Sequence, residues 1–188
     1  MAMGDENIRR LRSLAEKGRA ELLWDIPGDK DEILKAAVAF ANAEGGALVF
    51  GARRSPWKVR GFKGLELFER SKEISDLICS SCSPILMPEM AVMNVGAGGA
   101  IVAWIPCERS RMPFYIAAKG KADGSFVRVG GDSVKASPET VRELELASRG
   151  RRFENLLGAD EVSHDRARDL CMRLNKHALS LSFHSASL

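Results

Sequence analysis

Residues 35–52, KAAVAFANAEGGALVFGA, constrain the fold more than any other part of the chain. Two apolar runs stand on either side of Asn42–Gly46. The first, from Ala36 to Ala41, is apolar on all sides, so a helix there must be buried centrally, and its alanines let neighbouring backbones approach closely. Asp29 can cap the free amides at the start of that helix, with Glu32 three residues on as in a capping box. Gly45 or Gly46 suits the left-handed turn that stops a helix. ALVFG then reads as a fully buried strand, in which Gly51 marks a bulge or a close backbone approach. A buried helix followed at once by a buried strand predicts a mixed α and β core.

The remaining segments extend this pattern. Residues 5–17 predict a short amphipathic helix ending near Gly18, and RAELLWDI at 19–26 predicts a strand closed by Pro27 and Gly28. VRGF predicts a short partner strand, and the spacing of Leu65, Phe68, Ile74, Leu77 and Ile78 a helix over 65–80. EMAVMNV and AIVAWIP, joined by GAGG, read as a hairpin. MPFYIAA and SFVRVGG, joined by KGKADG, read as a second one. SPETVRELELA is a helix with Ser137 at its cap and Pro138 at its first position. The fold class is therefore α+β: a single domain over 1–148, its mixed or antiparallel sheet packed against the central helix and flanking helices. Residues 149–188 form a linker and a C-terminal helix over 161–181, expected to lead into a downstream region.

Taken in order, EKGRAELL at 16–23, AFANAEGG at 39–46, ALVFG at 47–51, VRGF at 59–62 and RMPFYI with GSFVRVGGDSVKAS at 111–137 resemble the Schlafen AlbA-like domain family. The resemblance covers about residues 10–147. It implies a DNA-binding domain of the kind found at the N-terminus of bacterial and archaeal transcriptional regulators, some of them related to ATP-dependent DNA helicases. Animal relatives are metal-dependent ribonucleases that use two motif glutamates and an acid after the core strand. The glutamates match Glu16 and Glu21, and two carboxylates with a third could hold Mg²⁺ or Mn²⁺ against a phosphate. Here Ala52, Arg53 and Arg54 stand where the acid belongs, and Leu23 replaces the motif lysine. A cation at that place repels a metal and welcomes a phosphate.

The charge pattern points the same way. The net charge is only +3, yet residues 53–72 hold seven bases against Glu66 and Glu69. The expected nucleic-acid contacts are Arg53, Arg54, Lys58, Arg60 and Lys63 on one loop, and Arg111, Lys119, Lys121 and Arg128 on the later strands. Trp57 and Phe62 lie among them and could stack on an unpaired base or pack inside. DNA and RNA are both open as partners. Three functions stay in play: a nucleic-acid-binding module without cofactor, a Mg²⁺- or Mn²⁺-dependent endoribonuclease using Glu16 and Glu21, and a protein-interaction module dimerising through the C-terminal helix.

Other classes find less support. The CxxC of Cys79 and Cys82 closes a helix, whereas a redox pair opens one, where the helix dipole lowers the thiol pKa. No GxxxxGK[ST] is present for ATP. No apolar run is long enough to span a bilayer, and the first residues lack the apolar stretch of a signal peptide, so a cytoplasmic protein without membrane contact is expected. His164, His177 and His184 have no ligand spacing and read as surface residues.

Overall fold

The computed structural model describes residue 9 and residues 12–54, 58–59, 61–95 and 98–156, with the backbone alone at 94, 95 and 151–156. The chain divides into two compact units, Met1–Ser148 and Arg149–Leu188. The sheets lie in the first.

Residues 12–16 are helical and end before Gly18; residues 5–8, 10 and 11 of the expected first helix lie outside the described residues. Strand β1 (Ala20–Leu23) follows, then helix α1 (Lys30–Ala41), whose start is capped by Asp29 Oδ1 accepting from the Asp31 amide at 3.0 Å. Eight of its residues, Ile33, Leu34 and Ala36–Ala41, are buried, as an all-apolar helix requires. Gly45, at φ +72°, is the left-handed stop. Strand β2 (Gly46–Phe50) then runs parallel to β1. The two glycines do different work. A Cβ at Gly46 would sit 2.3 Å from the Phe40 ring, so only glycine lets helix and strand close on each other.

Beyond β2, Gly51 at φ +88° turns the chain into a two-residue strand β3 (Ala52–Arg53), antiparallel to β4 (Lys58–Val59). Helix α2 (Gly64–Ser81) ends in strand β5 (Cys82–Ser83), so the CxxC does lie at a helix C-terminus. Strands β6 (Glu89–Val95) and β7 (Gly98–Ile105) form the expected hairpin. The main sheet has the order β1-β2-β7-β6, parallel at β1-β2 and antiparallel elsewhere. One face, with Leu48, Phe50, Ile101, Ala103 and Ile105, packs on α1 and α2. The other, with Ala47, Val49, Ala100 and Val102, joins Ala15 of the first helix in a second core.

The later strands depart from expectation. Strand β8 (Tyr115–Ile116) pairs with β5, while β9 (Phe126–Val129) pairs with β10 (Asp132–Lys135). The segment between them is no hairpin turn. It folds as a 3-10 turn (Ala117–Lys119) and a short helix α3 (Gly120–Gly124), closed by Ser125 Oγ donating to the Lys121 carbonyl at 2.8 Å. The true hairpin turn is Gly130–Gly131. Helix α4 (Pro138–Leu156) is capped as predicted, the Thr140 amide donating to Ser137 Oγ at 3.2 Å. The expected helix over 161–181 lies outside the described residues.

Candidate functional site

Asn42 organises the middle of the domain. It is buried where α1 ends, its Nδ2 donates to the Phe114 and Phe126 carbonyls at 2.7 and 3.0 Å, and its Oδ1 accepts from the Phe114 amide at 2.7 Å. An asparagine has one acceptor and two donors on its amide, and here all are matched. The side chain thus ties the MPF segment and β9 to the central helix. Its place inside FAN is visible in the sequence, but its partners lie 72 and 84 residues away and nothing local announces them.

The first of the expected acids, Glu16, is exposed on the first helix. Glu21 is on β1 and is engaged by Arg128 of β9, whose Nη1 donates to Glu21 Oε2 at 2.6 Å. The same Arg128 donates to Ser133 Oγ at 2.8 Å and to the Gly131 carbonyl, and its guanidinium lies 4.4 Å over the Phe40 ring. With its side chain only 8% exposed, Arg128 is a buried strut between two sheets, not a cation presented to solvent. Buried arginines persist when such partners satisfy them. Glu21 is held by a guanidinium, Ala52 is buried where a third acid would be needed, and among the described residues no three Asp, Glu, His or Cys side chains form a possible metal site.

The expected cations separate into two groups. Arg111 pairs with Glu108 at 2.7 Å and donates to the Ile85 carbonyl at 2.7 Å. Lys119 pairs with Asp31, and Lys121 with Glu145 at 2.6 Å. Arg54 donates to the Ala15 carbonyl, at the C-terminal end of the first helix where a cation is favoured. The β3–β4 hairpin differs. Its register sets Arg53 opposite Lys58. Lys58 and Lys63 are exposed, and among the described residues neither has an ion-pair partner. Arg60 and Trp57 lie outside the described residues. Phe62 is 4% exposed, bridged to Gly99 and packed in the core, so it cannot stack on a ligand.

Trp24 takes the place expected of an exposed aromatic. It follows β1 directly, is 38% exposed, and belongs to neither hydrophobic core. The Gly51 amide donates to the Leu23 carbonyl at 2.8 Å, which brings the start of the hairpin beside it. Arg53 lies over the indole, 4.7 Å from its centroid. Its Nε is buried and has no hydrogen-bond partner. The sequence gives Trp24 only as one residue of an apolar run, and its exposure comes from the strand ending one residue earlier.

A four-stranded mixed sheet with a buried crossover helix, flanked by small two-stranded sheets and a basic hairpin, defines an α+β domain. Residues 22–137 match the Schlafen, AlbA_2 family, and the chain belongs to that family. Among solved structures it is similar to the N-terminal domain of a RecG-related protein, named for an ATP-dependent DNA helicase, from Nitrosomonas europaea, at 21% identity and a TM-score of 0.50, over 72% of this chain and 94% of that one. A protein from Corynebacterium diphtheriae matches at 13% identity and a TM-score of 0.47, over 71% of this chain and 30% of that one. No curated protein matches the chain.

Proposed function

We propose that this domain binds nucleic acid through the phosphates, using the β3–β4 hairpin and the residues that follow it. The observation that carries this reading is the division among the cations: Arg111, Lys119 and Lys121 already have acids, and Arg128 is buried with one, whereas Arg53, Lys58 and Lys63 have none among the described residues. A cation that is already paired gains little by exchanging one anion for another. An unpaired one releases the counterions condensed on the phosphates, which is the main source of non-specific affinity. Such contacts position a strand without reading its sequence. Membership of the family, and a fold neighbour named for a DNA helicase, agree with this function. DNA as the target, within a transcriptional regulator acting in the cytoplasm, is its most specific form. Among the described residues no helix is long and apolar enough to cross a membrane.

Binding of labelled DNA and RNA oligonucleotides to the chain and its variants tests the assignment. Replacing Arg53 and Lys58 together with alanine is expected to weaken binding at least tenfold, and replacing Lys119 and Lys121 to change it less than threefold. Equal losses in the two pairs would show that the hairpin is not the contact surface.

A further inference from the structure

We propose that Trp24 and Arg53 form a stacking site for an unpaired nucleobase, so that the domain prefers single-stranded nucleic acid to duplex. The inference rests on the nucleic-acid reading above and deepens it. Three independent features converge. An indole is the largest apolar surface a side chain carries, and Trp24 leaves 38% of itself in solvent while joining neither core. Among the described residues two other rings, Phe40 and Phe114, have an arginine above them, and both are buried. The ring of such a pair is exposed only at Trp24 among the described residues.

The second feature is the Arg53 guanidinium, whose Nε is enclosed but whose terminal amines have no hydrogen-bond acceptor among the described residues. The ring keeps the guanidinium in place without hydrogen-bonding it, so its donors stay available to a base edge or a phosphate beside the stack. The third is charge: Lys58 stands opposite Arg53 in the hairpin register and supplies a second cation within one strand spacing. Aromatic rings with cations beside them are how single strands are held without sequence preference, because every base has a face to stack. In a duplex the faces are already taken by neighbouring bases, and an indole reaches one only after the base is unstacked.

Fluorescence anisotropy with three probes of about equal phosphate number tests this: a 24-nucleotide oligothymidine, the same backbone with every base removed, and a 12-base-pair duplex. The full single strand is expected to bind about tenfold more tightly than either of the others, Trp24→Ala to erase that advantage, and Trp24→Phe to keep most of it. Circular dichroism checks that each variant is folded, and the comparison of probes on the unaltered chain decides the matter even if one is not. Equal affinity for all three probes, or an advantage that survives in folded Trp24→Ala, would overturn the stacking site while leaving phosphate binding intact. No binding of any probe would instead overturn the nucleic-acid reading itself.

Discussion

Arg128 Nη1 meets Glu21 Oε2 at 2.6 Å, joining β9 to β1 across 107 residues of sequence. The contact holds the β9–β10 hairpin against the main sheet. Replacing Glu21 with glutamine keeps the shape but leaves a nearly buried guanidinium without its counter-charge, at a cost of about 2 kcal/mol. Chemical denaturation of Glu21→Gln, Arg128→Met and the double variant should show strong coupling between the two sites. Nucleic-acid affinity of the folded Glu21→Gln chain should stay within about threefold of the unaltered one, since Glu21 lies outside the proposed contact surface.

Asn42→Ala should be more damaging. It removes three hydrogen bonds at a buried site and leaves the Phe114 amide and two carbonyls without partners, so a loss of about 3 kcal/mol or more is expected. Denaturant midpoints measure it. A loss below about 1 kcal/mol would mean that water replaces the amide.

How far the sequence foretells this fold depends on the range of the contacts involved. The buried helix, its glycine stop and the core strand are legible because burial is written in consecutive residues, and caps such as Asp29 and Ser137 because they act within three positions. The pairing of β8 and β9 is not. Both segments have strand-like composition and a glycine-containing connection, yet Ile116 finds Cys82 and Phe126 finds Lys135, contacts decided by the core and not by the turn. At the candidate site the basic clusters are legible as composition. Which bases have acids is a matter of tertiary neighbours such as Asp31 for Lys119, 88 residues apart. Arg128 and Trp24 exchange the environments their local sequence suggests: the arginine is buried and the tryptophan partly exposed.

The CxxC gives a chemical prediction. Burial, with Cys79 close by, pushes the Cys82 thiol up to about 12. At pH 8 it is almost wholly protonated, and only the thiolate reacts readily. Iodoacetamide should therefore label Cys82 slowly in the native chain and quickly in denaturant, as read by peptide mass mapping. Rapid native labelling would contradict the burial.

Acid stability follows from three carboxyls held below the usual range. The hydrogen bond from Lys119 does this for Asp31, that from Lys135 for Asp123, and Glu139 is held down by its own backbone amide and by Ser137. Since the folded values lie below the unfolded ones, the unfolded chain takes up protons first. Their contribution is present above the unfolded carboxylate range of about 4, and is lost as pH falls through the folded values. Asp123 and Glu139 are exposed and Asp31 is half-exposed, so solvent screening keeps the effect small. Lys119→Ala with Lys135→Ala should lower the neutral plateau of a stability–pH curve slightly and leave its acid end nearly unchanged, so that the fall between them is shallower.

The central claim is most directly tested by the dependence of binding on salt. For the unaltered chain, log Kd measured against a labelled single strand between about 50 and 200 mM salt should rise steeply and linearly with log salt concentration. In the variant with Arg53, Lys58 and Lys63 all replaced by alanine, the slope should fall by about two, in line with roughly 0.7 per phosphate contact on a single strand. Binding that is absent at low salt, or a slope unchanged in the triple variant, would contradict the assignment of the hairpin as the phosphate-binding surface.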